Sequence, residues 1–446
     1  MNYSSEKNPL QLTPSKNYDE VLANLKVRYE ERRTKNADGS TVTKNTPIVE
    51  NCGYNFLQIL RHDKRFSDLR YNTVKGVPER FDERTGKRTP WTDADDADAR
   101  LYIESVYGIN APAKYDDAIN SYLQTVKYSP VQKLIESIKW DGHPHAEEFL
   151  IKWMGAEDNE VNRECSRLLF AGGIRRAYEP GSKFDYCIVL IGSQGGGKST
   201  ICRWLAMEDD LYTSLKTIQG QKGSEGIQGK WIVEIEELLA VLANDKTGSH
   251  MEEEAKAFLS RQSEFYRLPY AKRPTDNPRT NVFIGTTNRD EFLEDPTGNR
   301  RWYPVKCSGA GTDLYSKEAE CREDIKQAWA EMLVAYRNHE PLANTYTSPE
   351  LEEQIRARQR AAEVEDELVG MVQDYLDRNN KVETCIPEIF NNVLNAGGLY
   401  VKSCDKTLSR RLGYILTRKL GWSCIGSKRF PAPYGVQKGY SRLYEF

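Results

Sequence analysis

The sequence predicts an α/β fold, with a parallel-sheet core set between a mostly helical N-terminal region and a winged-helix-like C-terminal domain. Three observations carry that expectation. Apolar runs at Tyr186–Ile191, Gly229–Leu238 and Asn281–Asn288 have the near-continuous hydrophobicity of strands buried on both faces. The first of them passes through Gly192-Ser-Gln-Gly-Gly-Gly-Lys-Ser199 into Thr200–Ala206, a stretch of good helix formers without Gly or Pro. Residues 401–446 hold ten Lys or Arg against Asp405 and Glu445, on a chain whose net charge is only −3.

The 446 residues are enough for about three domains. The polar opening MNYSSEKNPLQLTPSK lacks an apolar h-region, so no signal peptide is expected. No run reaches membrane-span length, and a cytoplasmic protein without membrane contact is the expectation. The nine cysteines are scattered without a C-x-x-C pair, which fits a reducing compartment and excludes a disulfide framework or zinc ribbon.

In chain order, residues 1–50 read as a polar, mobile arm around one amphipathic segment, Tyr18–Arg33. Residues 51–165 read as mainly helical, interrupted by the strand-and-turn stretch FSDLRYNTVKGVPERFDERTGKRTPW. The acidic run from Asp93 has carboxylates at three EF-hand positions, but Asp98 stands where the turn requires Gly. Helix N-terminal carboxylates facing the dipole explain it better. His143-Pro-His145 is read as a loop. Residues 166–345 form the core domain, 346–377 a single charged linker helix, and 378–446 the basic domain.

The chemistry begins at Gly192–Ser199, which satisfies G-x-x-x-x-G-K-[ST] between a strand and a helix. Backbone N–H groups there, with the positive end of the helix dipole, face an anion. Gly192, Gln194, Gly195, Gly196, Gly197, Lys198, Ser199 and Thr200 are the expected nucleotide-binding residues. Lys198 would reach the β- and γ-phosphates and Ser199 would hold Mg²⁺, making ATP and Mg²⁺ the expected cofactors. The second strand ends in Glu234, Glu236 and Glu237. One carboxylate is needed on the metal side and one to polarise water. Glu237 is the choice for water, and either Glu234 or Glu236 serves the metal. No Asp stands here, a departure from the commonest pattern. Asn288 ends the third strand where an amide would position water, with Thr287 the weaker candidate. Arg300 and Arg301 follow a Gly-Asn turn and are candidates for stabilising charge on a transferring phosphoryl group.

Several blocks now recur in a recognisable order: WDG at 140–142, PGSKFDYCIVLIGSQGGGKST, WIVEIEEL, the run from KAFLSRQSEFYRLPY to GNRRWYPV, and DIKQAWAEML. Over roughly residues 50–345 the chain resembles the virulence-associated protein E family of phage, prophage and satellite ATPases. That family is similar to superfamily 3 helicases within the AAA+ ATPases. The resemblance implies an AAA+-like ATPase assembled as a ring, usually a hexamer, with ATP between subunits and one Arg supplied in trans. It implies a replication helicase or translocase acting on single-stranded or forked DNA. The primase–polymerase domain of longer relatives has no counterpart here, so a separate primase is an expected partner.

In such rings a hairpin before the third strand tracks nucleic acid. By position Lys272 and Arg273 lie near its tip, with Arg267 and Arg279 nearby and Tyr266 or Tyr270 available for stacking. The C-terminal helix carrying Lys406, Arg410, Arg411, Arg418 and Lys419 is expected to meet phosphates, although protein contact would use the same pattern. Two other functions remain open: an initiator that remodels an origin without unwinding, and a signalling NTPase acting on proteins.

Overall fold

The computed structural model describes residues 13–35, 41–238, 251–266, 274–293, 299–309, 314–342, 348–363, 367–395 and 404–442. The chain divides into two compact units, Met1–Ala362 and Glu363–Phe446.

The first unit is built on a five-stranded, all-parallel sheet: β1 (Cys187–Ile191), β2 (Tyr212–Leu215), β3 (Ile232–Ile235), β4 (Val282–Thr287) and β5 (Trp302–Lys306), in spatial order β5-β1-β4-β3-β2. Strand alternation sorts the side chains. Ile188, Leu190, Ile232, Ile284 and Val305 enter one core, whereas Cys187, Val189, Ile191, Val233, Ile235 and Phe283 enter the other. A sheet covered on both faces needs such uninterrupted apolar strands, which is why they stand out in the sequence.

Helices α1 (Glu160–Tyr178), α2 (Lys198–Leu205) and α4 (Glu318–Arg337) are among those that pack in the core of the first face, while α3 (Met251–Ser260) packs on the second. Gly172 and Gly173 sit mid-α1, where each costs about 1 kcal/mol relative to Ala. A Cβ on Gly172 would lie 2.2 Å from the Phe184 ring, and one on Gly173 2.4 Å from Trp329. The missing methyls let Trp329 reach Phe170 and Trp231, at ring centroid distances of 4.7 Å and 4.4 Å. These aromatic contacts seat the helices on the sheet.

Before the sheet, helices Gly53–His62, Asp93–Tyr107 and Pro112–Thr125 share a core with the anchoring carboxylate of Asp63, which accepts hydrogen bonds from Tyr102 and Tyr107 at 2.8 Å. The stretch read as strand and turn supplies Lys87–Pro90, Val77–Asp82 and Arg70–Asn72 of a four-stranded sheet, and Lys127–Tyr128, after the last of these helices, adds the fourth strand. The acidic run caps its helix: Thr92 and Asp95 form a reciprocal capping box, and Asp96 accepts from Trp91 Nε1 and Tyr115.

Two expectations are corrected. The N-terminal segment is helical only over Tyr18–Ala23, and Val27–Lys35 then pairs antiparallel with Thr41–Val49. The β-branched residues of TVTKNTPIV and the Asp38-Gly39 dipeptide favour a hairpin over a long helix. The charged linker helix is likewise two helices, α5 (Pro349–Ala361) and Glu367–Arg378. α5 belongs to the first unit: Gln359 donates to the Trp302 carbonyl at 2.9 Å and Leu351 and Ile355 are buried.

The second unit runs helix Glu367–Arg378, strand Glu383–Cys385, helix Ile386–Ile389 continuing through Phe390–Asn395, helix Lys406–Tyr414 continuing through Ile415–Lys419, then strands Trp422–Phe430 and Gly435–Arg442. The strands form an antiparallel sheet with Gly435–Arg442 in the middle. Its core includes Leu368, Val372, Ile389, Leu412, Ile415 and Leu416. No helix among the described residues is long and apolar enough to cross a membrane.

Candidate functional site

The Gly192–Ser199 loop leaves the carboxyl end of β1, a strand flanked by β4 and β5. Its root is pinned on both sides: Gly192 N–H donates to the Thr287 carbonyl at 3.1 Å, and Cys307 N–H donates to the Ile191 carbonyl at 2.7 Å. A Cβ on Gly192 would lie 2.6 Å from the Cys307 carbonyl oxygen, so only glycine permits that approach. Gly195 and Gly197 hold φ of +80° and +82°, the left-handed region glycine enters without steric cost. Lys198 opens α2, and its ammonium donates to the Gly192 and Ser193 carbonyls, each at 2.8 Å. Burial draws the Lys198 pKa down, an effect opposed by Cys307 and Glu234. Burial also pushes the Cys307 thiol up to about 12.

Glu234 is wholly buried at 0 % exposure, and three hydroxyls converge on it. Ser199 donates to Oε1 at 2.7 Å, Thr286 donates to the same oxygen at 2.8 Å, and Tyr212 donates to Oε2. A buried carboxylate requires such partners. Burial, followed by the Glu234 carboxylate, drives the Tyr212 pKa well up, so that phenol keeps its proton. Glu236 does not join this cluster. β3 ends at Ile235, so the alternation that would bring Glu236 beside Glu234 stops; its carboxylate is partly exposed, 3.9 Å from Lys216. Glu237 is exposed and takes φ +48°, a left-handed conformation costing about 1–3 kcal/mol in a non-glycine residue.

Asn288 is exposed immediately beyond β4, at the same end of the sheet as the loop, while Thr287 is buried and its hydroxyl accepts from Arg289 N–H at 3.2 Å. The arginines lie elsewhere. Arg300 and Arg301 occupy a 3₁₀ turn at the amino end of β5. Arg301 is 15 % exposed and faces inward, 3.4 Å from Asp185 and donating to Ser260 Oγ at 3.0 Å. Arg300 is exposed.

Of the residues proposed to meet nucleic acid, Arg267, Tyr270, Lys272 and Arg273 lie outside the described residues, as does the Tyr266 side chain. The hairpin that bears them begins with Ser263–Tyr266 paired to Thr275–Pro278. Arg279 is corrected: it is buried in an ion pair with Glu264, stacked 4.6 Å from the Phe258 ring centroid, and holds the hairpin's base together. In the second unit Arg410, Arg411 and Arg418 are exposed, whereas Lys419 is tied to Glu363 at 2.7 Å.

The family model described as the virulence-associated protein E-like domain matches residues 135–364, just over half of the chain and all five strands of the parallel sheet. The chain belongs to the virulence-associated protein E-like family. No curated protein matches it. Among solved structures, the apo structure of the NrS-1 C-terminal region (305–718) is 13 % identical with a TM-score of 0.42, covering 78 % of this chain and 83 % of its own. The A-form apo structure of that region is 11 % identical with a TM-score of 0.40, covering 80 % and 84 %. At these scores the likeness carries no argument.

In this virulence-associated protein E-like chain, the loop, Glu234 and the end of β4 come together at one end of the sheet. Three further members were not read from the sequence. Thr286 and Tyr212 reach Glu234 from β4 and β2. Tyr315 reaches Thr200 Oγ1 at 3.2 Å from the segment before α4. Alternation along Val282–Thr287 offered a signal for Thr286, which falls on the same face as Ile284. For the tyrosines no local signal exists.

Proposed function

We propose that this chain is an ATP-driven DNA helicase or translocase serving replication of a phage, prophage or phage satellite, with each ATP bound between neighbouring copies in a ring. The observation that carries the reading is the hydrogen bond of Ser199 to buried Glu234 directly beneath the Lys198 loop. A hydroxyl and a carboxylate joined in this way are the donor set that holds Mg²⁺ in P-loop NTPases. The left-handed glycines and the Lys198 ammonium, folded back on loop carbonyls, fit a phosphate chain whose oxygens would replace those carbonyls. ATP and Mg²⁺ are therefore the cofactors proposed. Ser199 and Glu234 would hold Mg²⁺, which would supply positive charge against the charge developing on the phosphoryl group.

The residue roles follow. Gly192, Gln194, Gly195, Gly196, Gly197, Lys198, Ser199 and Thr200 would bind the nucleotide. Glu234, rather than Glu236, would serve the metal with Ser199, because it alone of the two meets that hydroxyl. Glu237 would take the proton of the attacking water, and Asn288 would orient that water. Arg300 would act from another copy. β1 and β5 are in register from Cys187↔Trp302 to Ile191↔Lys306. Four residue steps of strand, roughly 13 Å, separate the end bearing the arginines from the end bearing the loop. Arg300 would point at a neighbour's nucleotide while Arg301 holds the turn that presents it.

The second unit has the helix–strand–helix–helix–strand–strand order of a winged helix, and its exposed Arg410, Arg411 and Arg418 would meet DNA phosphates. Lys272 and Arg273 are proposed separately, from their place in the sequence, to meet nucleic acid. A separate primase is a further partner proposed. The test is ATP hydrolysis with and without single-stranded DNA, followed by strand displacement on a forked duplex. Stimulated hydrolysis and displacement are expected. Hydrolysis without displacement would move the reading to an origin-remodelling initiator, and indifference to DNA would overturn it.

A further inference from the structure

Tyr315 has no part in the phosphate chemistry above, yet it lies against the phosphate loop's helix. It belongs to the segment between β5 and α4, its side chain is among the most exposed large ones described, at 71 %, and its hydroxyl sits 3.2 Å from Thr200 Oγ1. The ring is not loose. Its edge-to-face contact with buried Trp204 has centroids 6.3 Å apart at 87°, and Arg322 stacks on that indole at 4.9 Å. Earlier in the same segment, Cys307 N–H donates to the carbonyl of Ile191 at the root of the loop, and Ser308 Oγ donates to the Gly155 carbonyl at 2.9 Å. Tyr315 is thus an aromatic surface anchored at both its hydroxyl and its edge, with ring area left open to solvent.

Its position along the nucleotide decides what that surface is for. Lys198 would reach the β- and γ-phosphates and Ser199 the metal; Thr200, the next residue along α2, would then stand toward the sugar-proximal end of the phosphate chain. One sugar's length beyond that end lies the base. We propose that the nucleobase of the bound nucleoside triphosphate stacks on the Tyr315 ring, making Tyr315 the base platform of the site. The inference rests on the triphosphate reading of the Lys198 loop. A π-face serves this role well, because stacking needs area and a fixed plane, and both are supplied at little entropic cost by a ring already anchored.

Titration calorimetry of the full chain with ATP, and separately with inorganic triphosphate, each with Mg²⁺, tests this directly. Tyr315→Ala is expected to weaken ATP roughly tenfold to a hundredfold, while inorganic triphosphate, which has no base, binds within about twofold of the unsubstituted chain. Tyr315→Phe keeps the ring and removes only the hydroxyl that meets Thr200, so its affinity for ATP should stay close to that of tyrosine. Unchanged ATP affinity in Tyr315→Ala, or equal losses for ATP and triphosphate, would overturn the platform. Lys198→Ala, run in parallel, should weaken both ligands. If it weakens neither, the triphosphate site itself is wrong and the platform falls with it; if it weakens both while Tyr315→Ala does nothing, only the platform falls.

Discussion

The two ends of the parallel sheet are built for different purposes. At the carboxyl end, Lys198, Ser199, Glu234, Thr286 and Asn288 gather around one glycine loop, with the carboxylate buried beneath three hydroxyls. At the amino end, Arg301 is locked between Asp185 and Ser260 while its neighbour Arg300 faces solvent. One end has a buried acid, hydroxyls and a glycine loop, with Arg300 and Arg301 at the opposite end of the strands. The other has an arginine on a braced turn and nothing in its own chain for it to act on among the described residues. On the proposed reading these are two complementary half-sites, which would meet if copies stack side by side.

The largest expected effect is at the carboxyl end. Lys198→Ala and Glu234→Gln should each abolish ATP hydrolysis, and for Lys198→Ala the circular dichroism spectrum should be unchanged. Full activity in either variant would remove its residue from the site. Next is Arg300→Ala, expected to slow turnover about a thousandfold or more while leaving stability within about 0.5 kcal/mol. Arg301→Ala should reverse that pattern in the folded state: loss of a largely buried ion pair is expected to cost about 3 kcal/mol, read as a lower denaturant midpoint. If Arg300→Ala destabilised the chain and Arg301→Ala did not, the assignment of finger and brace would be exchanged.

The smallest effects concern DNA. Arg410→Ala or Arg418→Ala should each flatten the dependence of log affinity on log salt by about 0.9 for each DNA phosphate left without its cation. Lys419→Ala should change that slope least, because Lys419 is already paired with Glu363. A slope unchanged in all three would make the basic helix a protein-binding surface.

What the sequence made legible were features with short-range signatures. The glycine loop, the apolar strands around it and the acidic strand end each declare themselves over a short stretch of chain. Glu234 and Glu236 looked equivalent because strand alternation cannot say where a strand stops, and here it stops between them. Tyr212, Thr286 and Tyr315 join the site through sheet order and a returning segment, so their role depends on neighbours distant in sequence. Arg279 illustrates the opposite error: grouped with basic neighbours by proximity, it is buried against Glu264 and Phe258. The charged linker helix of residues 346–377 reads as continuous because no Gly or Pro sits at its break. α5 instead ends where it packs on β5, and Phe292 and Leu293 N–H groups donate to the Ala362 carbonyl.

Subunit mixing tests the two-half-site claim most directly. Lys198→Ala and Arg300→Ala chains, each inactive alone, are combined in varying ratios and ATP hydrolysis is measured. Some interfaces then pair an intact loop from Arg300→Ala with an intact arginine from Lys198→Ala, and activity should reappear with a maximum at intermediate ratios. Assembled mixtures that stay inactive at every ratio would contradict an arginine supplied by a neighbouring copy.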